Sequence, residues 1–208
     1  MTDPPVPKAG FDAAKARKPK PGELLVPEDF QLKHWIFGLV YLVSMPAAVL
    51  LSPDSGWILV PILFGFLFVV ESLRLLHRVI RLVSRDRRPG NPTTLIVLLL
   101  IPVVKALVGA WLLPAVAGAV RADLRDARID ADGKLLPLGM AAALFSLVSV
   151  GSIGGVLPEK LLLLALAVDM GWILSWTAFI WVLQTEARRL SETRHTSAGQ
   201  AQVADVFE

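Results

Sequence analysis

Residues 57–88 read WILVPILFGFLFVVESLRLLHRVIRLVSRDRR, and the change of composition inside this stretch decides the fold class. Its first 20 residues are apolar apart from a few positions near Glu71. A run of about 20 apolar residues matches the hydrocarbon core of a bilayer, which is roughly 30 Å thick, at 1.5 Å per helical residue. Arginines then accumulate, as they do at the cytoplasmic end of a span. The stretch therefore predicts a crossing that ends in the cytoplasm.

The composition of the whole chain supports the same class. Of its 208 residues, 54% are hydrophobic, and they lie in long blocks, which predicts an all-α, polytopic integral membrane bundle. The net charge of +3 is modest, and the excess arginine lies beside apolar segments. That placement favours the lipid bilayer and its anionic headgroups over nucleic acid as partners. The absence of cysteine excludes disulfides, zinc–thiolate sites and a cysteine nucleophile.

Five apolar segments account for the blocks, and we expect a transmembrane helical bundle over residues 32–190. The segments are predicted at 35–51, 57–76, 93–120, 135–157 and 160–184. Residues 1–31 contain many prolines and a basic patch, so we expect a disordered cytoplasmic tail there. Residues 191–208 are predicted to form a disordered polar tail.

Two topologies fit these segments. Five crossings place the chain ends on opposite sides of the membrane, whereas a re-entrant segment 93–120, broken at Pro102, leaves four crossings and both ends inside. The re-entrant topology puts 19 of the 21 Lys and Arg residues inside, against 13 with five crossings, so the positive-inside rule favours it. Length and apolarity favour five crossings, because irregular backbone at membrane depth must be shielded by protein. We expect five, with the amino end cytoplasmic in a plasma or inner membrane.

Three ionisable residues lie inside apolar segments: Glu71, Lys105 and Asp169. A charge at the membrane centre costs about 2.5–3.5 kcal/mol, so each should face protein or water. With five crossings, Lys105 and Asp169 lie at depths that differ by about 5 Å. They are then expected either to pair and fix helix register or to line an ion or proton pathway. Glu71 is expected to pair with Arg74, one helical turn on.

Two further patterns suggest surfaces. A stripe of four arginines follows the second segment and is predicted to contact lipid headgroups, while the opposite apolar face lies along the inner membrane surface. Gly151 and Gly155 form a GxxxG pair, which is typical of close helix packing in lipid. The mixed-charge stretch 121–128 is expected to be a solvated helix face. The stripe consists of Arg74, Arg78, Arg81 and Arg85.

Function is constrained mainly by what the sequence lacks. No Walker loop, dinucleotide fingerprint, HExxH or GxSxG motif occurs, so we predict neither an enzyme nor a cofactor or metal site. An alternative for His34 and His77 is axial ligation of haem, since both fall at inner ends of adjacent segments. The leading hypothesis is an accessory, assembly or scaffold subunit that packs with membrane proteins or itself. The alternative is a small transporter or channel that uses Lys105 and Asp169.

Overall fold

The structure is a computed structural model that describes residues 25, 27–30, 34–51, 59–148 and 162–207. The regular structure in these ranges is helical, which confirms the all-α prediction. Two 3-10 turns, at Pro27–Phe30 and Arg85–Arg87, accompany the helices. The helices are α1 (His34–Leu51), α2 (Leu59–Leu82), α3 (Pro92–Leu99), α4 (Pro102–Asp126), α5 (Leu135–Val148) and α6 (Leu162–Phe207).

Three helical stretches are long and apolar enough to cross a membrane. They are Leu59–Leu82 in α2, Val104–Asp126 in α4 and Leu166–Thr196 in α6. The apolar helix Leu135–Val148 is shorter in its described part. These lengths support the membrane-protein class, but they do not confirm five spans.

The third apolar segment, 93–120, consists of two helices, α3 and α4. Pro102 is the first residue of α4, and Ile101 before it is extended, with φ −87° and ψ 117°. Proline cannot donate the backbone bond that would continue α3, and it disfavours helical geometry in the residue before it. Leu99 of α3 then faces Gly109 of α4. The chain therefore folds back at Pro102, where the re-entrant alternative placed its break, and five spans are not confirmed.

Hydrogen bonds fix the directions of the longer helices. Ser84, just after α2, bonds to Asp123 near the end of α4, and so does Arg194 in the last third of α6. Helices α2, α4 and α6 therefore all run toward one end of the molecule, which we refer to as the base. Helix α3 starts shortly after Ser84 and runs away from the base, and α4 returns to it.

Helices α1 and α5 run away from the base, antiparallel to α6. Trp35 at the start of α1 contacts the ring of Trp181, whereas Tyr41 farther along α1 reaches Asp169. On α5, Ser146 bonds to Trp172. On α1 the later residue contacts the earlier residue of α6, and on α5 Gly139 lies beside Phe179 whereas Ser146 reaches Trp172. Both helices therefore run opposite to α6.

The exposed large hydrophobic side chains are confined to the part of each helix that lies away from the base. On α2 the last of them is Phe66, on α4 it is Trp111, and on α6 it is Trp181. On the three helices that run away from the base, the first are Trp35, Val97 and Met140. We refer to the part that carries these side chains as the apolar part of the molecule. In the base, none of the large hydrophobic side chains of the described residues is exposed.

The core of the base is built by the second halves of α2, α4 and α6. The apolar face of α2 beyond Arg74 packs there instead of lying along the membrane surface, because α4 and α6 supply apolar partners that exclude water. Removal of apolar surface from water contributes about 25 cal/mol per Å². Fully buried core residues include Leu75, Leu76, Val79, Ile80 and Val83 of α2, Leu112, Leu113, Val116, Val120 and Leu124 of α4, and Phe179, Ile180, Leu183 and Ala187 of α6.

Parts of both terminal regions have regular structure, so disordered termini are not confirmed. Phe30 in the first 3-10 turn is fully buried, and α6 stays helical through Phe207. Ser191 is also fully buried, and its hydroxyl donates to the carbonyl of Leu25 at 2.6 Å. The two terminal regions therefore pack on each other in the base. The rest of the expected amino-terminal tail, residues 1–24, 26 and 31, lies outside the described residues.

Candidate functional site

A buried carboxylate organises the base. The side chain of Asp123 is only 2% exposed. Its oxygens accept hydrogen bonds from the Ser84 backbone N–H at 2.7 Å and hydroxyl at 2.9 Å. They also accept from Arg87 Nη1 at 3.0 Å and from Arg194 Nη2 at 2.9 Å. One side chain thus joins the ends of α2 and α4 to the last third of α6 through charge-assisted bonds, which are stronger than neutral ones.

The arginines around Asp123 hold the connecting loop. Arg87 also pairs with Asp126 at 2.7 Å, and the carboxylates of Asp126 and Asp123 raise the pKa of Arg87 above its ordinary value. Arg194 donates to the carbonyl of Leu82. Arg88 donates to the carbonyl of Val83 at 3.0 Å. These bonds satisfy carbonyls that the end of α2 leaves without helical partners.

The prediction of a solvated face over 121–128 is therefore wrong for Asp123. Position 123 lies three residues after Val120 and seven after Val116, both fully buried. This spacing puts the carboxylate on the apolar stripe of α4. The spacing thus indicates a buried Asp123, but the charged residues around it favoured a solvated helix face. Arg125 and Arg128 are exposed as expected.

A serine and two tryptophans hold α5 against α6 in the apolar part. The hydroxyl of Ser146 accepts from Trp172 Nε1 at 3.1 Å and from Trp176 Nε1 at 3.0 Å. It donates to the carbonyl of Ala142 at 2.7 Å. The Ser146 side chain and both indoles are buried. Since a buried indole N–H requires an acceptor, Ser146 satisfies two donors at once.

Replacement of Ser146 by alanine is expected to lower the free energy of unfolding by about 2 kcal/mol, because two buried indole donors lose their acceptor. Equilibrium unfolding in mild detergent, followed by tryptophan fluorescence, measures this change. Ser175→Ala is the matched control, since its hydroxyl only donates to a helical carbonyl, that of Trp172. Equal effects of the two substitutions would show that Ser146 is not an acceptor on which the indoles depend.

Asp169 has a hydroxyl partner on α1. Tyr41 donates to Asp169 Oδ2 at 2.5 Å. Both side chains are partly buried, and the bond crosses from the middle of α1 to the first third of α6. A hydrogen bond from Tyr41 lowers the cost of placing the carboxylate in an apolar setting. The sequence pattern identifies Asp169 as a charged group in an apolar segment. It does not identify Tyr41 as the partner of Asp169, because nothing in the sequence indicates which helix lies beside α6.

Lys105 lies over an aromatic ring. Its Nζ is 4.5 Å from the centroid of the Trp172 ring, within the range of a cation–π contact. A small cavity of about 20 Å³ opens beside it, lined by residues that include Phe68, Leu99 and Trp176. That volume has room for about one water molecule. Lys105 and Asp169 are both near Trp172, but in the structure they do not form the ion pair that was one of the expected arrangements.

Two of the four arginines in the stripe contact other described groups through their side chains. Arg74 pairs with Glu71 at 2.6 Å, as expected, and Arg78 donates to the carbonyl of Asp29. Arg81 and Arg85 are exposed. Of the four arginines, Arg78 therefore contacts a neighbouring segment, whereas Arg74 pairs within α2 and is exposed, as are Arg81 and Arg85.

Two sequence predictions cannot be located. Gly151 and Gly155 lie outside the described residues, and so does the side chain of His34, so the GxxxG contact and the haem hypothesis stay predictions. Close helix approach occurs elsewhere: a Cβ atom at Gly171 would lie 2.6 Å from the Phe145 ring. In the ranges described, no group of three or more His, Asp or Glu side chains could hold a metal ion.

These contacts limit what the arrangement can do chemically. Tyr41 with Asp169, and Ser146 with Trp172 and Trp176, bond across helix interfaces in the apolar part. The space at Lys105 admits about one water. The geometry therefore suits helix packing better than passage of a hydrated solute. Comparisons with protein-family models, with curated proteins and with solved structures find no match to this chain.

Proposed function

We propose that the chain crosses the membrane four times, through α1, α2, α5 and α6, and that α3 and α4 form a re-entrant hairpin. The confinement of exposed large hydrophobic side chains to the part away from the base supports this topology. Three exposed tryptophans, Trp35, Trp111 and Trp181, are the exposed large hydrophobic residues nearest the base on α1, α4 and α6. Tryptophan is enriched at membrane–water interfaces. The base then lies in the cytoplasm and the apolar part in the bilayer.

The burial of α4 explains why a helix of sufficient length does not cross. Leu107 and Trp111 are exposed near its start, at 67% and 52%. Beyond them, Leu112, Val116 and Val120 are fully buried in the base. The apolarity of the second half of α4 thus serves a protein core and leaves no face for lipid. In this topology the basic loops lie in the cytoplasm, in agreement with the positive-inside rule.

Within this topology, the protein acts as an assembly or scaffold subunit that docks another membrane protein or a second copy. The observation that carries the proposal is the folded base. Asp123 joins α2, α4 and α6 there and bonds two arginines, so the surface of the base is held in one geometry. A preorganised surface binds a partner with less ordering cost. Arg121, which is half-buried, and Arg125, which is exposed, are the candidate docking residues on α4.

Native mass spectrometry of the protein purified in mild detergent tests this role. We expect a complex of defined stoichiometry, with a partner or with a second copy. The double variant Arg121→Gln, Arg125→Gln should weaken it by about tenfold through loss of two rim charges. Arg81→Gln with Arg85→Gln is the matched control for net charge. A strictly monomeric protein, or equal weakening by both variants, would contradict the proposal.

The second candidate is a small transporter or channel. The observation in its favour is the break at Pro102 beside Lys105, because broken helices at membrane depth line solute paths in many transporters. Solute flux in reconstituted vesicles distinguishes the two candidates. The assembly role predicts flux no greater than that of empty vesicles. Flux that disappears in Lys105→Met would instead support transport.

A further inference from the structure

An open groove of about 660 Å³ separates α2 from α3. It lies where the first residues of the re-entrant hairpin pass the middle of α2. Because the two helices are antiparallel here, Val70 of α2 and Leu100 of α3 lie toward the apolar part, and Arg78 lies toward the base. The groove is lined by Val70, Leu73, Arg74, His77, Arg78, Ile96 and Leu100.

The groove is divided into a basic end and an apolar end. Three nitrogen-bearing side chains, those of Arg74, His77 and Arg78, line the end nearer the base. Aliphatic side chains line the remainder, and Leu100 is 61% exposed. From Val70 to Arg78 the helix rises about 12 Å. A ligand that fills this groove must therefore carry an anionic group next to an apolar chain.

The position of the groove matches that of a lipid in the inner leaflet. Phe66 is the last exposed large hydrophobic residue of α2, and Arg74 follows two turns later. The basic end thus lies at the proposed membrane–cytoplasm boundary, and the apolar end opens into the exposed hydrophobic surface. Basic pockets between membrane helices on the cytoplasmic side are suited to anionic headgroups.

We propose that this groove binds one anionic glycerophospholipid, with its phosphate at Arg74, His77 and Arg78 and an acyl chain against Ile96 and Leu100. Guanidinium groups bond phosphate oxygens with two parallel donors. This inference goes beyond the assembly role and rests only on the orientation of the base. The lipid would fill the gap that the short α3 leaves beside α2, and so would hold the re-entrant hairpin in place.

The groups around the basic end leave donors for a phosphate. Glu71 engages Arg74 through one nitrogen, Nη1, and the Arg74 side chain is 65% exposed. Arg78 uses Nη1 for the carbonyl of Asp29. A guanidinium has five N–H donors. The same contacts orient both arginines toward one end of the groove, so the lipid meets a site that is partly built.

Native mass spectrometry of the purified protein, titrated with phosphatidylglycerol or with phosphatidylcholine of the same chains, tests the site. We expect one retained phosphatidylglycerol, bound more tightly than phosphatidylcholine. Arg74→Gln with Arg78→Gln should weaken it by at least about 30-fold, because charge-assisted bonds are lost. The control Arg81→Gln with Arg85→Gln makes the same charge change outside the groove and should weaken it less than about threefold.

A second pair of variants tests the acyl-chain site at the apolar end of the groove without a change of charge. Leu100→Trp fills the apolar end and should abolish retention, whereas Val97→Trp, at an exposed position outside the lining, should preserve it. This pair keeps the test decisive if the arginine variants do not fold. Equal losses in both arginine variants would show a diffuse basic surface, and displacement of the lipid by inorganic phosphate would show a simple phosphate site. Either result, or retention in Leu100→Trp, would overturn the proposal.

Discussion

Replacement of Asp123 by leucine is expected to lower the free energy of unfolding by about 3 kcal/mol. Removal of one partner from a buried ion pair costs about 3–5 kcal/mol, because the remaining charge is left uncompensated. The lower end applies here, since the side chains of Arg87 and Arg194 are 39% and 34% exposed and keep access to water. The Ser84 N–H also loses its acceptor, which adds to the loss.

Equilibrium unfolding of the purified protein in mild detergent measures this effect. Asp126→Leu is the matched control: its carboxylate also pairs with Arg87 but is 65% exposed, so the loss should stay below about 1 kcal/mol. The double variant Asp123→Leu, Arg194→Met should be less destabilised than the sum of its single variants, because the two groups interact. A loss below that of Asp126→Leu would show that the base does not depend on Asp123.

The fold class followed from the sequence because segregation of apolar residues is a strong, local signal. The stretch 57–88 predicted a helix that passes from apolar to basic, and α2 has this form. Hydropathy could not tell lipid-facing from protein-facing surface, however. The apolar second halves of α2 and α4 resemble membrane-facing helix in composition, but they pack against each other and α6 in the base. That difference depends on contacts between distant segments.

The site was predictable residue by residue only where partners are close in sequence. Glu71 and Arg74 are one turn apart, and their pair is observed. Lys105 and Asp169 are recognisable in the sequence as charged groups in apolar segments, but the contacts of Lys105 with Trp172 and of Asp169 with Tyr41 join different helices. Those contacts depend on the order in which the helices pack, and no short-range pattern in the sequence specifies that order.

The four-crossing topology places the loop between α4 and α5 in the cytoplasm, whereas five crossings place it outside. Gly133 in this loop is exposed, and a Cβ atom there would meet nothing within 4 Å. Since the chain contains no cysteine, Gly133→Cys gives one thiol at a position that tolerates it. We expect an impermeant maleimide added to intact cells to leave this thiol unlabelled and to label it fully after permeabilisation.

Two further single-cysteine variants serve as controls for the two sides of the membrane. Asp86→Cys, in the exposed basic loop after α2, should behave as Gly133→Cys does, because both loops belong to the same side. Ser55→Cys, between the first two predicted segments, should react in intact cells. Labelling of Gly133→Cys together with Ser55→Cys would restore the five crossings and remove the re-entrant hairpin. Protection of Gly133→Cys together with Asp86→Cys is possible only if the chain returns to the cytoplasm between them, and the fold-back at Pro102 is where it turns.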